Sequence, residues 1–329
     1  MEKQLNFKKS DGLIFGIYPG SGVGIEMEGG SGLIKGKTDD PNQIHKGLHY
    51  LSGSKPFLVR AYTQYVGFGI GKYLTPSNVE QYCNDNRKLD LAICYRTNDS
   101  NMDDWKSFIR KIITEYKDVL EKLQITEEPN NPDGASGGDG GSLYVKQAII
   151  EGILAAKEEI QHLGLDIQLG FNAVISFDPN DTFWKDMANL SSPAFVNALD
   201  YIGLDFYPGV FRPLPPNVSL KEAVKMVLSH FRNQNLVEAG IPQHIPLHIT
   251  ENGWPTNELR TEAQQAEAIE QIIKTVFEVR KALNITHYEF FDLRDCDILN
   301  NGLQFGLMRE DYTPKPAFNV FARTINELG

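Results

Sequence analysis

The sequence predicts an α/β protein of eight parallel strands and surrounding helices, the architecture of a (β/α)8, or TIM, barrel. Three observations predict it. Short β-branched and aromatic runs alternate along the chain with stretches of helical period, the pattern of a parallel sheet covered by helices. Most of these runs are continuously apolar, as strands buried on both faces require. The 329 residues are long enough for eight such units with catalytic loops, so one barrel domain is expected over 1–329.

The first strand is expected at 13–18, and residues 41–51 follow as a helix with Ile44, Leu48 and Leu51 on one face. The second strand is 57–62, after which Thr75 reads as the opening of a helix with Pro76 in its first turn. The third is 89–95, followed by a helix over 103–116 that spaces Trp105, Phe108, Ile109, Ile112 and Ile113 along one side. The fourth is 119–126. Residues 129–142 are rich in Gly, Asn and Asp, but composition does not shift on either side. They read as a mobile βα loop over an active site, not as a linker. A helix over 143–162 ends at Gly164. The last strands are expected at 166–174, 199–207, 246–250 and 287–292, with helices over 219–238, 261–283 and 316–325. Periodicity alone leaves an open doubly wound sheet as the competing topology. No GxGxxG follows the first strand: Gly20, Gly22 and Gly24 have another spacing, no P-loop Lys follows, and a flexible loop is expected there.

Net charge is −11 and no Lys/Arg cluster interrupts it, which argues against nucleic acid and anionic membranes as partners. The first residues lack an apolar signal segment, and no apolar run reaches the roughly 18–20 residues that span a bilayer, so a cytoplasmic protein is expected. Cys83, Cys94 and Cys296 form no CxxC pair and read as reduced, mostly buried thiols. No cofactor is expected, and the sequence sets no oligomeric state.

Two motifs carry acids at predicted strand ends: Ile125-Thr-Glu-Glu-Pro-Asn130 on the fourth and Ile249-Thr-Glu-Asn-Gly-Trp-Pro-Thr256 on the seventh. In a barrel, the C-terminal strand ends face one bowl, so acids remote in sequence can meet. Cleaving an acetal needs a proton on the leaving oxygen and an anion at the oxocarbenium-like centre. Two carboxyl groups about 5–5.5 Å apart supply both with net retention. Glu251 is then the nucleophile and Glu128 the acid/base, their proximity raising one pKa and keeping the roles distinct.

These motifs resemble those of the clan A barrel glycoside hydrolases. Thr-Glu-Glu-Pro-Asn is similar to the clan's strand-four Asn-Glu-Pro. Thr-Glu-Asn-Gly-Trp-Pro-Thr is similar to its strand-seven nucleophile motif, in both the β-glucosidase and β-1,3-glucanase versions. The segment 200–208 resembles strand six, whose Tyr often bonds the nucleophile, here Tyr207. The segment 306–316 resembles the approach to the last helix, and Arg60 matches an Arg that supports the nucleophile. The resemblance implies a retaining β-glycosidase acting on an oligosaccharide or glycoside.

Two positions depart from the clan. Glu127 stands where an Asn usually contacts the sugar 2-hydroxyl, and a carboxylate there accepts but does not donate. This leaves open whether Glu127 or Glu128 is the proton donor. Strand eight carries Phe290-Phe291 where a Trp usually floors the sugar site; Phe290, Trp254 or Trp184 is expected to take that place. Asn172, ending strand five, is expected to point into the bowl, while Trp184 reads equally as a packed loop anchor. His248 reads as a core histidine. Asp292 and Arg294 read either as a structural pair or as substrate contacts, and the charged face of 258–270 as solvated surface. Two alternatives stand beside the hydrolase: a catalytically impaired carbohydrate-binding barrel, favoured by Glu127, and a metal-dependent barrel hydrolase, for which no His/Asp cluster with ligand spacing appears.

Overall fold

The computed structural model describes residues 5–8, 10–20, 23–27, 30–34, 37–69, 71–134, 137–296 and 304–329. Along the chain the strands are β1 (Ile14–Ile17), β2 (Val23–Met27), β3 (Gly30–Ile34), β4 (Phe57–Tyr65), β5 (Gly71–Thr75), β6 (Arg87–Tyr95), β7 (Leu120–Ile125), β8 (Gln168–Val174), β9 (Tyr201–Asp205), β10 (Leu247–Asn252) and β11 (Ile285–Phe290). Eight of them, β1, β4 and β6 to β11, pair in parallel in the order β1-β11-β10-β9-β8-β7-β6-β4. The ring closes because β1 pairs on one side with β11, Ile14 opposite His287, and on the other with β4, Phe15 opposite Phe57. The sheet is therefore a closed barrel and not the open alternative.

Helices cover the outside: α1 (Pro41–Ser52), α2 (Met102–Tyr116), α3 (Val145–His162), α4 (Phe183–Leu190), α5 (Pro193–Ala198), α6 (Leu220–His230), α7 (Leu236–Glu238), α8 (Glu262–Leu283) and α9 (Pro316–Leu328). Local chemistry sets several ends. Asp40 caps α1 ahead of Pro41, and Ser219 with Glu222 and Thr261 with Gln264 form capping boxes on α6 and α8. Asn284, in the left-handed region at φ 52°, ends α8. The outward strand residues, among them Leu89, Leu91, Ile93, Leu123, Ile125, Leu204 and Ile249, make one core with the buried helix faces. Among the described residues no helix is long and apolar enough to cross a membrane.

Two loop expectations are corrected. Thr75 does not open a helix: it ends β5, which turns back antiparallel on β4, and only a 3-10 turn at Val79–Tyr82 follows. The return strand uses the residues that a barrel helix would need. After β1, the segment read as a flexible loop carries the antiparallel hairpin β2–β3, with residues 21–22 outside the described residues.

The barrel interior is polar above an apolar floor. Phe7, Ile14 and Leu58 form a separate buried cluster, and the Phe7 carbonyl bonds to His287 Nε2 at 2.9 Å. Higher up, Lys122 on β7 meets Glu289 on β11 at 2.5 Å and Asp90 on β6 at 3.0 Å. β7 and β11 lie on opposite sides of the ring, so that contact crosses the interior. His248 is buried here as expected of a core histidine, stacked on Tyr201 at 4.3 Å with the rings 5° from parallel. Of the cysteines, Cys94 and Cys296 are buried and Cys83 is half-buried.

Candidate active site

The bowl at the C-terminal strand ends gathers Arg60 and Tyr62 from β4, Gln124 from β7, Asn172 from β8, Asp205 from β9, and Thr250 and Glu251 from β10. Glu127 and Glu128 lie just past β7. Strict alternation along β10 would point Thr250 and Glu251 to opposite faces. Both face the bowl because the register slips between Ile249 and Glu251 against β9, a bulge that turns Glu251 inward. Gly203 leaves the room beneath: a Cβ there would lie 2.6 Å from Thr250 Oγ1 and 2.8 Å from Asn172 Cβ.

Glu251 is held at both oxygens. Tyr62 donates to Oε1, and Tyr207 donates to Oε2 at 2.6 Å. Arg60 Nη2 stands 3.8 Å from Oε1, and Arg60 Nε donates to the Tyr62 hydroxyl at 2.7 Å. Arg60 is 1% exposed and also reaches Asp90 at 3.0 Å and Glu127 at 3.3 Å. One guanidinium thus links the interior charge column to the bowl. Burial first, then the Glu251 charge, pushes the Tyr207 phenol well above its ordinary range. Burial also pushes up Tyr62, opposed by Arg60 and aided by Glu251. Both remain donors.

Glu128 accepts from Asn131 Nδ2 at 2.7 Å, and its backbone N–H donates to Asn172 Oδ1 at 2.8 Å. Glu127 accepts from Gln124 Nε2 at 2.5 Å and from Asn172 Nδ2 at 3.2 Å. The same Asn172 nitrogen bonds Asp205, which also accepts from Thr250 Oγ1. One carboxyl oxygen from each of Glu127, Glu128, Asp205 and Glu251 lies within 4.8 Å of the others. This concentration of charge has a direct consequence. Burial, then the charges of Glu251 and Glu127, raise Glu128 well above the carboxylate range. Burial, then Asp205 and Glu251, do the same for Glu127.

The four carboxyls stand at metal-ligand distances from one another. Sequence spacing gave no sign of this, because they come from three separate segments, the turn past β7, β9 and β10.

Of the sequence-derived candidates, Glu128, Glu251, Arg60, Glu127, Asn172 and Tyr207 meet in this bowl. Trp184 and Phe290 do not. Trp184 is 2% exposed and packs between Phe183 and Phe231, at 5.1 and 5.4 Å. Trp254 is half-buried against the core, with the Arg260 guanidinium 5.0 Å over its ring. Phe290 points outward to Phe321 of α9 at 5.3 Å. The next residue, Phe291, is half-buried and stacks on Tyr18 at 5.3 Å.

An arc of rings results: Tyr62, Tyr18, Phe291, Phe305 and Tyr207, each 5.1–5.8 Å from the next. It begins and ends on the two tyrosines that hold Glu251. Arg294 pairs with Asp39 at 2.8 Å and not with Asp292. Sequence reading missed Tyr62 and Asp205. Tyr62 lies two residues after Arg60, on the same face of β4, and that spacing was the signal that could have found it.

No protein-family model matches the sequence, and no curated protein matches it. Solved structures do. A family 1 β-glucosidase from Thermotoga maritima superposes with a TM-score of 0.61 at 12% identity, covering 98% of this chain and 99% of that one. A β-glucosidase from Exiguobacterium marinum gives 0.60 at 14% identity, covering 97% and 98%. A family 39 glycoside hydrolase from the gut symbiont Bacteroides cellulosilyticus WH2 gives 0.62 at 14% identity, covering 95% of this chain and 63% of that one. The likeness is one of fold: a (β/α)8 barrel matched along almost the whole chain.

Proposed function

We propose that the chain is a clan A retaining glycoside hydrolase that cleaves β-glycosidic bonds, with Glu251 as nucleophile and Glu128 as acid/base. The observation that carries this is the approach of the two carboxyls. Their nearest oxygens lie within 4.8 Å, on the side of the roughly 5–5.5 Å retaining spacing and far from the 6.5–9.5 Å or so that leaves room for water in inverting enzymes. The β-glucosidase names of two matched structures make aryl β-glucosides the first substrates to try.

The environments divide the roles. Glu251, oriented by two phenols and facing Arg60, attacks the anomeric carbon. Glu128, kept protonated by burial and by the Glu251 charge, gives its proton to the leaving oxygen. The ester at Glu251 then carries no charge, so one cause of the raised Glu128 affinity is gone. Glu128 can now take a proton from water as its oxygen adds to the anomeric carbon and the bond to Glu251 breaks. Glu127, also held toward its neutral form, can donate as well as accept, as the amide does in the clan. Phe291, not Phe290, is the strand-eight ring placed to floor the sugar. A binding barrel without turnover is the second reading, favoured by the extra carboxyl of Glu127.

The test is trapping. A 2-deoxy-2-fluoro-β-glucosyl fluoride, or its analogue on whichever sugar a panel of aryl β-glycosides reveals, should inactivate the protein. Peptide mapping should find the sugar on Glu251. A label on another residue, or an α-configured first product from a β-glycoside, would overturn the assignment. No turnover across the panel would leave the binding barrel.

A further inference from the structure

The acid-bearing turn leaves the sheet abruptly. The β6–β7 ladder ends at Ile93 opposite Ile125, with Thr126 N bonded to Ile93 O at 3.0 Å. Beyond it Thr126 and Glu128 lie at φ 69° and 40°, left-handed conformations that residues with a side chain keep only where their surroundings enforce them. Backbone groups that a continued ladder would pair are met by side chains instead. Thr126 O accepts from Gln124 Nε2 at 3.0 Å, and Tyr95 O accepts from Ser142 Oγ at 2.9 Å. Tyr95 N and Glu127 N both donate to one oxygen, Oδ2 of Asp139, at 2.6 and 2.7 Å. Asp139 N returns a bond to Glu127 O at 2.9 Å. The other Asp139 oxygen forms an ion pair with Arg96 Nε at 3.1 Å, and Arg96 also bonds the carbonyls of Gly137 and Gly138. The Asp139 side chain is fully buried.

We propose that Asp139 is a positioning residue for the reaction: its carboxylate substitutes for the missing ladder between the ends of β6 and β7, and so fixes the turn that aims Glu128 into the bowl. The proposal rests on Glu128 being the acid/base. It gives the Gly-rich loop a purpose, which is to deliver one acid to the splayed strand ends. Without that carboxylate, two buried amides lose their acceptor and the turn can relax out of its left-handed geometry. Glu251 stands on β10 with its own phenols and is not touched by the loss. The damage therefore falls on proton delivery and not on nucleophilic attack.

The test compares the parent with Asp139→Ala and Asp139→Asn, as full chains, on aryl β-glucosides whose leaving phenols run from dinitrophenol to phenol, or the same series on the sugar the parent turns over. For Asp139→Ala, kcat/KM on the phenyl substrate should fall about 100-fold or more, the scale of general-acid catalysis, while the dinitrophenyl substrate changes by less than about 5-fold. Asp139→Asn keeps an oxygen for both amides and should lie between. Crystals of the variants should show Thr126 and Glu128 leaving positive φ.

Equal losses across the series, with the turn unchanged in the crystals, would overturn the proposal. If Asp139→Ala does not fold, Asp139→Asn and Arg96→Gln carry the same comparison. A parent that hydrolyses no aryl β-glycoside would sink the functional reading instead. The crystal structures then decide alone, a relaxed turn supporting the clamp and an unchanged turn refuting it.

Discussion

Tyr207 donates its phenolic hydrogen to Glu251 Oε2 at 2.6 Å, from the loop just past β9, 44 positions earlier. Tyr62 does the same at Oε1. A carboxylate with a phenol on each oxygen is fixed in orientation. In the proposed mechanism the same two phenols would meet the charge that returns to the carboxylate when Glu251 departs from the sugar.

Removing either phenol should therefore slow catalysis without unfolding the protein. A hydrogen bond to a charged group contributes about 1.5–3 kcal/mol, so Tyr207→Phe and Tyr62→Phe should each lower kcat by about 10- to 100-fold. Steady-state kinetics beside a thermal melt checks this. An unchanged kcat would remove the two tyrosines from the account.

Glu127→Asn restores the residue the clan usually carries and removes one of four crowded acids. Substantial activity is expected, with improved turnover on sugars bearing an equatorial 2-hydroxyl. A variant as inactive as Glu128→Gln would show that the roles of the two neighbours have been exchanged.

The raised carboxyls tie stability to pH. Burial, then Asp90, raise Glu289 from 4.5 to about 8, with Lys122 opposing. Glu127, Glu128 and Asp205 are raised as well. In that window the folded chain holds protons the unfolded chain has lost, so stability is full below the ordinary carboxylate range and declines as pH rises. Burial lowers His248 and His287, which favours the folded chain as pH rises through the ordinary imidazole range and opposes the acids there, so the acids are read above that range: Tm should be higher at pH 7.5 than at pH 9. Glu128→Gln cannot ionise and should raise Tm at pH 8 by about 1–3 °C while abolishing acid catalysis. The basic limb of the parent's kcat/KM profile should report loss of the Glu128 proton. A Tm that rises from pH 7.5 to 9 would contradict the burial of these acids as neutral groups.

Four carboxyls at mutual distances within 4.8 Å also make metal dependence a testable matter. Exhaustive treatment with a chelator should leave kcat/KM unchanged. Loss of activity that a divalent cation restores would revive the metal-dependent hydrolase.

Strands and helices were legible because burial imposes their periods. The two acid motifs were legible because each is a short strand-end pattern. What stayed hidden depends on register or on contacts between strands. The β10 bulge brings Thr250 and Glu251 to one face, which no alternation rule foretells. A shift of one residue on strand eight sends Phe290 outward to Phe321 and presents Phe291 instead. Asp205 matters through partners on other strands and carries no local pattern, whereas Tyr62 is marked only by its two-residue spacing from Arg60. Trp184 could be read as a sugar platform or as a packed anchor, and in this fold its ring is packed between Phe183 and Phe231.

The two carboxyls are assigned to opposite faces of the sugar, and azide reads that assignment directly. Glu128→Ala keeps the nucleophile, so an activated aryl β-glycoside still glycosylates Glu251; azide, needing no base, should restore turnover and yield the β-glycosyl azide. In Glu251→Gly, azide should enter the vacated space on the other face and yield the α-azide. Azides of one configuration from both variants, or the two configurations exchanged, would contradict the assignment of Glu251 as nucleophile and Glu128 as acid/base.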